Sequence, residues 1–564
     1  MKNLSLIGAI VLFAGLASAN AELELSIHTA SNGNRYAEGL MRCKDGVGLY
    51  TFAALPKAGV KLPVVVTRNP YIRNPDRTEK TSWASEGRRA AGASKCIYVI
   101  QHCRGRGASE GDFRPYVQER GDGLALLDWI RRQDFFDGRI FLTGGSYLST
   151  VHFAYLNTNP PNVVGAALNI QTPDWYRPNL RNGMFKTGLH GGWYKENAHR
   201  KNLSLKRDES VKFTDFPLID WSRRYYGKAD IGFDEYLLHP REDDPYWTSE
   251  APLAGAQAKR ALVDSTMPVM LRTGLYDIYT EDICDQWRAM SPARRANCTL
   301  IIDAYDHGGK MQKWMAGTKA EFPDGARAHF DKAVDEFREW CLDTSKAPAF
   351  TGFELGKTTY YALWENRWHT ETALVDGPRQ MELNLSAATN AVEVGWTYDP
   401  QRSLPNFPGS GGICFGGMQL QPKPDFRDDV RSFVLPPIKE RMDVRGRMTA
   451  ELLVKSDCED TCFYVRVSVD KGDGKWYLLR DDIKPLTYDD GAYTPGTLRR
   501  LSFRFADHAF RLEPGDVFRV DISSATAAFQ PHPNVPGLPS LAREPKVAHN
   551  AVMPANCKLV IPCL

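Results

Sequence analysis

The stretch Arg139-Ile-Phe-Leu-Thr-Gly-Gly-Ser-Tyr-Leu-Ser-Thr150 decides which fold the chain is expected to adopt. Its apolar part, 140–143, predicts a short strand, and the Gly-Gly-Ser-Tyr turn after it leads into a predicted helix. A strand–turn–helix of this kind presents a serine hydroxyl at the carboxyl end of a sheet. Gly144 permits the turn, and the first N–H groups of the helix point at the same place. Ser146 is therefore the candidate nucleophile.

The serine motif is incomplete. The G-x-S-x-G pattern has a second glycine at position 148, where this chain has Leu148, followed by Ser149. A Gly-Gly-Ser turn also occurs as a surface turn that caps a helix. The interpretation therefore depends on the rest of the chain.

Length and composition describe a multidomain globular protein. The chain has 564 residues, which predicts roughly three or four domains at about 150 residues each. It is 43% hydrophobic and 25% charged, with a formal net charge of +3. No basic run with interleaved aromatic residues occurs, so nothing indicates a nucleic-acid partner.

The first 21 residues have the pattern of a signal peptide. Lys2 precedes an apolar stretch, 4–17, and the small residues that follow fit cleavage after Ala19 or Ala21. The apolar stretch is shorter than the about 20 residues that span a bilayer, and no later segment is long and apolar enough. We therefore expect an exported protein, periplasmic or secreted, with no membrane span after cleavage.

The 11 cysteines allow disulfides in an exported protein. Two local pairings are compatible with the sequence, Cys458 with Cys462 and Cys557 with Cys563, although the sequence does not determine pairing. No Cys-x2-Cys pair occurs with a matching histidine pair, so we expect no metal site. Nothing in the sequence implies a cofactor.

Strands alternate with helices on both sides of an inserted segment, which predicts a parallel sheet with crossover helices. The insert, 171–262, is rich in Trp, Tyr, Arg, Pro and His and is predicted to form a helical cap above the sheet. The predicted strands are 46–54, 62–67, 96–101, 140–143, 163–170, 267–273 and 298–304, and the predicted helices are 121–133, 281–290 and 329–342.

After about residue 350 the pattern changes to short alternating stretches between turn signals such as Asp473-Gly474 and Pro514-Gly515. This predicts an all-β sandwich or jelly roll. The expected fold class is α/β, with an α/β-hydrolase core, an inserted helical cap and a C-terminal all-β sandwich or jelly roll. The predicted domains are a catalytic domain of residues 22–170 and 263–348, the cap 171–262 and the all-β domain 349–564.

A serine hydroxyl needs a base, and the base needs an acid that orients it. In α/β-hydrolases the acid and then the histidine follow the nucleophile, each in a loop after a strand. Asp277 follows the strand 267–273, and His307 follows the strand 298–304. Ser146, Asp277 and His307 are therefore the candidate triad.

Other residues compete for these roles. His152 lies within the helix after the serine and is expected to be packed there. His102 is adjacent to Cys103, but their side chains would diverge on a strand. Asp306 is the alternative orienting acid, although a residue next to a histidine in sequence rarely reaches its ring. Three histidines of the predicted cap are candidates for lining a pocket: His190, His199 and His239.

Acyl transfer also requires donors aimed at the developing oxyanion. The backbone N–H of Tyr147, the residue after the candidate nucleophile, is one. The second is expected from the loop Arg-Asn-Pro-Tyr, 68–71, either from its backbone or from the Tyr71 hydroxyl.

Five motifs in the expected order resemble the cocaine esterase and X-Pro dipeptidyl-peptidase family of α/β-hydrolases, which includes α-amino-acid ester hydrolases and a cephalosporin acylase. The resemblance continues beyond them, at 360–368, 512–516 and 522–534, and so covers nearly the whole mature chain. It implies a hydrolase core, a helical cap and a C-terminal jelly roll. The five motifs are 68–71, 101–111, 137–147, 274–277 and 306–307.

The resemblance implies that Ser146 is the nucleophile, Asp277 the acid and His307 the base, with the Tyr71 hydroxyl and the Tyr147 amide as oxyanion donors. The chain has each of these residues at the position that the family pattern requires. The chain departs from the family pattern at three other positions, which are Ser149 in place of glycine, His102 in place of aspartate, and Asp306 before the histidine in place of a small or polar residue.

The substrate is less well determined. Relatives that act on amino esters hold the substrate amine with carboxylates just after the catalytic aspartate. Glu281 and Asp282 follow Asp277 at a different spacing, so a charge pair in the first turn of a helix is the alternative. Aromatic residues of the cap could line a substrate pocket or pack the cap core: Trp175, Tyr176, Trp193 and Tyr194.

The expected function is hydrolysis of an ester or amide bond of a small acyl or aminoacyl substrate, through an acyl-enzyme on Ser146. X-Pro dipeptidyl-peptidase activity is the alternative within the same family. The alternative from another class is a binding protein that has a hydrolase fold and a catalytically inactive site. The sequence allows a homo-oligomer and does not determine the oligomeric state.

Overall fold

The computed structural model describes residues 24–29, 35–72, 95–197, 207–250, 255–409 and 417–564. The expected signal peptide, 1–21, and the candidate His199 lie outside these ranges. None of the helices within them is long and apolar enough to cross a membrane.

The described residues before the cap insert form seven strands and two helices. Strand β6 is longer than predicted, since it begins before the apolar stretch 140–143 and runs up to Ser146. These elements are β1 (Glu24–Thr29), β2 (Arg35–Arg42), β3 (Gly48–Leu55), β4 (Leu62–Asn69), β5 (Ile97–His102), α1 (Glu119–Arg131), β6 (Phe136–Gly145), α2 (Tyr147–Leu156) and β7 (Val163–Asn169).

The segment between β7 and the next core strand is mainly helical, as its composition predicts. It begins with a two-stranded hairpin and continues with short helices. Its elements are β8 (Leu180–Arg181), β9 (Met184–Phe185), α3 (Gly192–Asn197), α4 (Trp221–Tyr226), α5 (Ile231–Leu238), α6 (Pro245–Thr248), α7 (Gly255–Lys259) and α8 (Ala261–Asp264).

After the insert the chain returns to the same sheet. The elements are β10 (Val269–Gly274), α9 (Thr280–Ala289), α10 (Pro292–Arg295), β11 (Thr299–Asp303), α11 (Ala333–Leu342), β12 (Thr358–Ala362) and β13 (Arg367–Glu371). The eleven strands follow the order β1-β2-β3-β5-β4-β6-β7-β10-β11-β12-β13. The seven strands from β5 to β12 run parallel, and the four strands at the two ends are antiparallel to their neighbours.

Strands β12 and β13 belong to this core sheet, although they lie beyond residue 348, where the sequence places the end of the catalytic domain. Leu300, Ile301 and Ile302 of β11 are in parallel register with 358–360 of β12. The residue types of 358–371 are compatible with strands but do not reveal which sheet those strands join, because strand propensity depends on the packing around it.

The rest of the chain forms two antiparallel sheets. The larger has eight strands and the smaller has four, β16-β23-β19-β20. Their strands are β14 (Arg379–Asn384), β15 (Val394–Tyr398), β16 (Arg431–Val434), β17 (Met442–Gly446), β18 (Thr449–Ser456), β19 (Cys462–Asp470), β20 (Trp476–Pro485), β21 (Arg499–Arg504), β22 (His508–Leu512), β23 (Val517–Ser523), β24 (Ala548–Val552) and β25 (Lys558–Cys563).

The core sheet is covered on both faces because successive side chains of a strand point to opposite sides. In β6, Ile140 and Leu142 pack in the cluster that contains Leu126 of α1. Phe141, between them, packs against Phe337 of α11 on the other face. Apolar residues at consecutive positions therefore predict a strand that is buried on both sides.

The two local disulfides that the sequence allows are not formed. Each of the ten cysteines that the structure describes carries a free, buried thiol. Cys557 and Cys563 lie at the two ends of β25, which separates their Cα atoms by about 20 Å, whereas a disulfide requires less than about 7 Å.

A cluster of buried charges joins the C-terminal sheets to helix α9 of the core. The carboxylate of Asp507 is fully buried and pairs with both Arg288 and Arg447. Arg447, itself buried, also reaches Asp285 of α9 at 2.5 Å. Because Asp507 and Arg447 are shielded from water, each buried charge needs an opposite charge beside it to offset its loss of hydration.

Replacing Asp507 with alanine removes the carboxylate that Arg288 and Arg447 share. Breaking a buried ion pair in this way costs about 3–5 kcal/mol, and we expect Asp507→Ala to lower the free energy of unfolding in urea by about that amount. Glu513→Ala is the control, since the Glu513 side chain is 39% exposed and pairs with Arg441 at 2.9 Å, and such pairs contribute about 0–1 kcal/mol. Equal losses in the two variants would contradict the role of the cluster.

Candidate active site

The backbone of Ser146 turns sharply between β6 and α2. Its dihedral angles are φ 56° and ψ −134°, a conformation that a residue with a side chain adopts only under constraint. Gly144 makes the turn sterically accessible, because a Cβ atom there would lie 2.2 Å from the carbonyl oxygen of Leu148. The first glycine of the motif is therefore required by the close approach of α2 to β6.

The end of β7 anchors the turn. The Ser146 N–H donates to the carbonyl of Asn169 at 3.0 Å. The Ser149 hydroxyl donates to the same carbonyl at 3.1 Å and accepts from the Asn169 N–H at 3.0 Å. Ser149, a departure from the family pattern, is thus accommodated with its hydroxyl bound to the neighbouring strand.

The structure brings Ser146, His307 and Asp277 together. His307 Nε2 lies 3.0 Å from Ser146 Oγ. His307 Nδ1 lies 3.2 Å from Asp277 Oδ2 and 3.4 Å from Oδ1. Asp277 and His307 are buried and Ser146 is half-buried, so the hydroxyl stays within reach of a ligand. The hydroxyl, the imidazole and the carboxylate are therefore connected in the order that nucleophilic catalysis requires.

Two loops position the acid and the histidine relative to each other. The loop after β10 donates from the N–H of Leu275 to the Asp303 carbonyl at 2.7 Å, and from the N–H of Tyr276 to the Tyr305 carbonyl at 2.9 Å. Arg327 pairs with the buried Asp303 at 2.8 Å and donates to the carbonyl of His307 at 3.3 Å. Arg327 carries no recognisable motif, and sequence reasoning missed it.

Asp306 does not take the role of orienting acid. Its carboxylate accepts from the N–H of Gly308 and from the side-chain amide of Gln312, each at 2.9 Å. It therefore closes the loop in which it lies, while Asp277 contacts the ring of His307.

The competing histidines are held elsewhere. His152 is buried between Tyr155 and the carbonyl of Thr143, at 2.6 and 3.3 Å, and burial lowers its pKa to about 3. His102 accepts from the N–H of Ala108 at 3.3 Å and so braces the glycine-rich loop. Burial raises the pKa of the neighbouring Cys103 thiol far above its usual range, which makes it a poor nucleophile.

Tyr71 and Tyr147 meet beside the serine. The Tyr71 hydroxyl donates to Ser146 Oγ at 3.2 Å and accepts from the N–H of Tyr147 at 3.3 Å. The Tyr71 loop is held by its own Asn69 side chain, which accepts from the Tyr71 N–H at 2.8 Å. A phenol and an amide therefore converge next to Ser146 Oγ, as two oxyanion donors would.

The three aromatic residues predicted to bind substrate lie in different surroundings. Trp193 is half-buried and stacks on the Tyr147 ring at 5.4 Å, so it lies beside the candidate nucleophile. Trp175 is buried and stacks on Tyr116 at 4.8 Å. Tyr176 is buried too, and its hydroxyl donates to the carbonyl of Pro240 at 2.7 Å. Among the three, only Trp193 adjoins the residues around Ser146.

The two acids after Asp277 are neutralised by arginines of the insert. Glu281 pairs with Arg181 at 2.6 Å, and Asp282 pairs with Arg177 at 2.6 Å. The sequence showed two acids in the first turn of a helix but not their arginine partners, which lie about a hundred residues earlier in the chain. The pairs tie helix α9 to the insert.

The two histidines of the insert that the structure describes are also packed. His190 is buried and stacks on Trp193 at 5.4 Å, and burial lowers its pKa to about 3. His239 stacks on Tyr246 at 4.4 Å and lies 3.1 Å from Asp244.

Comparison with known proteins shows a family to which the site is similar. Residues 45–309 match the family model described as X-Pro dipeptidyl-peptidase (S15 family). This segment therefore resembles the S15 family. It contains Ser146, Asp277, His307 and both candidate oxyanion donors.

Known proteins also match this chain over most of its length. It is 22% identical over 548 residues to the cocaine esterase of Rhodococcus sp. (strain MB1 Bresler), which covers 86% of this chain and 89% of the esterase. An α-amino acid ester hydrolase superposes with a TM-score of 0.77 at 17% identity, covering 98% of this chain and 100% of that one. An aminopeptidase from a marine sediment Thaumarchaeota archaeon superposes with a TM-score of 0.75 at 17% identity, covering 99% of each chain.

These findings confirm the expected fold class, an α/β-hydrolase core with a separate antiparallel β-region. With the match to the S15 family model, they show that this protein is a serine hydrolase. The individual roles of Ser146, Asp277, His307, Tyr71 and Tyr147 stay predictions.

The two adjacent glycines of the turn offer a matched pair of variants. In Gly144→Ala the new methyl group meets a backbone carbonyl, whereas in Gly145→Ala it meets only the Ile170 side chain at 3.8 Å. We expect Gly144→Ala to lower the free energy of unfolding by more than about 2 kcal/mol and to abolish hydrolysis. We expect Gly145→Ala to change the unfolding energy by no more than about 1 kcal/mol. Urea denaturation and ester hydrolysis measure both, and similar behaviour of the two variants would contradict the steric argument.

Proposed function

We propose that the protein is an exported serine hydrolase that cleaves an ester or amide bond of a small acyl or aminoacyl substrate through an acyl-enzyme on Ser146. The observation that carries the proposal is the 3.0 Å contact between Ser146 Oγ and His307 Nε2, with Asp277 bound to the other ring nitrogen.

The geometry supports a two-step reaction. His307 Nε2 takes the proton of Ser146 Oγ as the oxygen attacks the substrate carbonyl, and then passes it to the leaving group. The carboxylate of Asp277 accepts from Nδ1–H, which fixes the tautomer and stabilises the imidazolium that forms. A water molecule, deprotonated in turn by His307, then releases the acyl group from Ser146.

The negative charge that develops on the carbonyl oxygen would be stabilised by Tyr71 and Tyr147. In the structure the Tyr71 hydroxyl and the Tyr147 N–H contact each other at 3.3 Å. A substrate oxygen that enters between them would accept from both. Removing one such donor typically lowers kcat by about 10²–10³-fold.

The relatives support an ester or aminoacyl substrate. Two of them are described as an esterase and an ester hydrolase, and a third as an aminopeptidase. Aromatic rings surround the candidate oxyanion residue Tyr147, since Phe113 lies 5.7 Å and Trp193 5.4 Å from its ring. Flat apolar surfaces of this kind suit a small acyl group without supplying a charge.

X-Pro dipeptidyl-peptidase activity is the second candidate, and the description of the matching family model favours it. Cleavage of an amide uses the same serine and histidine, so the site geometry does not separate the two reactions. The binding-protein hypothesis is disfavoured, because an idle site would not need a buried aspartate to orient His307.

The first test is covalent labelling of the serine with a fluorophosphonate probe. We expect wild type to be labelled and Ser146→Ala not to be, because the His307 contact activates this hydroxyl alone. Ser345→Ala is the matched control, since Ser345 is exposed and its hydroxyl donates only to the nearby Asp343 at 2.6 Å.

Rates on p-nitrophenyl acetate and on Ala-Pro-p-nitroanilide would then separate the esterase from the dipeptidyl-peptidase. Folded wild type that is neither labelled nor active would refute the proposal and favour the binding protein. Labelling that persists in Ser146→Ala would assign the nucleophile to another residue.

Export rests on the signal-peptide pattern of residues 1–21. Expressed with its own N-terminus in a bacterial host, the protein is expected in the periplasm or medium, with an intact mass that corresponds to a chain beginning at Asn20 or Glu22. A variant that lacks residues 2–21 is expected to stay in the cytoplasm. Retention of the uncleaved full-length chain in the cytoplasm would contradict export.

A further inference from the structure

A buried ion pair lies behind the two candidate oxyanion donors. Arg68 is the last residue but one of β4, three residues before Tyr71, and its side chain is fully buried. Its Nη1 donates to Glu119 Oε2 at 2.6 Å and to the Glu119 carbonyl at 3.2 Å, and its Nε donates to Gln101 at 2.8 Å. The strand that carries Tyr71 is thereby bound to the first residue of α1.

The same carboxylate holds Tyr147. The Tyr147 hydroxyl donates to Glu119 Oε1 at 3.3 Å and accepts from the N–H of Tyr116 at 2.8 Å. Tyr147 is 3% exposed, so its ring is held by packing and its hydroxyl by both contacts. Arg68, Glu119 and Tyr147 thus form a continuous path from the Tyr71 loop to the residue after Ser146.

Packing alone does not explain this path. Taking a guanidinium and a carboxylate out of water is costly, and apolar residues of similar size are often at least as stabilising. Burial raises the pKa of Glu119, and the Arg68 guanidinium opposes that shift. The guanidinium therefore favours the charged carboxylate, which is the stronger acceptor for the Tyr147 hydroxyl.

We propose that the Arg68–Glu119 pair is a positioning element that acts through the Tyr147 hydroxyl to hold the Tyr147 N–H and the Tyr71 hydroxyl at the separation that an oxyanion requires. This inference rests on the proposed function, since it concerns the same site. Arg68 fixes the strand that presents Tyr71, and Glu119 fixes the side chain of the residue that presents the amide. Neither residue touches the reacting atoms.

The effect of the pair is expected in the transition state. An oxyanion hole is effective when its donors lie about 2.7–3.1 Å from the charged oxygen, and a misplacement of about 1 Å can cost 10²-fold in rate. A ground-state carbonyl depends less on these donors. Loss of the path should therefore lower kcat and leave KM nearly unchanged.

Tyr147→Phe is the most direct test, because it removes the hydroxyl and keeps the ring, the backbone N–H and the Arg68–Glu119 pair. With a p-nitrophenyl ester we expect kcat to fall by about 10–100-fold, with KM within about twofold of wild type. A boronic acid that forms a tetrahedral adduct on Ser146 should bind more weakly by a similar factor, because its oxygen occupies the oxyanion site.

Tyr155→Phe is the matched control. Tyr155 lies on the same helix, and its buried hydroxyl contacts His152 at 2.6 Å rather than the oxyanion path. Its loss should lower the unfolding temperature, since a buried partner is removed, without changing kcat or the boronic acid affinity. A fall in kcat of equal size in both variants would mean that only general stability is involved, and would overturn the inference.

Glu119→Gln provides an independent second variant. A neutral amide keeps the shape of the side chain but weakens the bond to Arg68. If the variant folds, its loss in kcat should not add to that of Tyr147→Phe in the double variant, because both act along one path. Additive losses would overturn the inference. Wild-type kcat and boronic acid affinity in Tyr147→Phe would also overturn it, and that result would leave the proposed function intact. Failure of the proposed function would instead appear as unlabelled, inactive wild type.

Discussion

The constrained backbone of Ser146 is the feature on which the rest of the site depends. With φ at 56° and ψ at −134°, the residue occupies a conformation that costs about 1–3 kcal/mol when the surroundings do not enforce it. Here they do, because β6 ends on Gly144 and Gly145, and helix α2 packs against the strand so closely that no Cβ fits at 144. The carbonyl of Asn169 accepts from both Ser146 and Ser149 and keeps the turn in place.

The parallel sheet brings the other functional groups to this turn. Strands β4, β6, β10 and β11 run in the same direction, so the loops after them lie at one edge and present Tyr71, Ser146, Asp277 and His307 there. The C-terminal sheets contribute as well. Arg480 donates to the carbonyl of Leu275 at 2.8 Å, two residues before Asp277. The C-terminal region carries no residue of the candidate triad, but it helps to hold the loop of the candidate acid Asp277 in position.

Buried and partly buried arginines connect the parts of the molecule that must keep fixed distances. Arg327 links the end of β11 to the loop of His307, Arg68 links the strand before Tyr71 to α1, and Arg447 links the C-terminal sheets to α9. Each donates several hydrogen bonds from a planar group, which fixes orientation as well as distance. The sequence did not indicate these roles, because a single sequence does not show whether an arginine is buried or exposed.

The sequence by itself determined the local elements and their order. Consecutive apolar residues in 140–143, the glycine turn and the alternation of strands with helices predicted the core, and the order Ser146, Asp277, His307 predicted residues that do meet. These signals are local, since period and turn chemistry depend on near neighbours. Only the tertiary structure decided that β12 and β13 join the core sheet, that Ser149 binds Asn169, and that Glu281 and Asp282 pair with arginines of the insert. Such contacts join residues far apart in sequence, and their distance is set by the packing of whole elements, which no single stretch of sequence encodes.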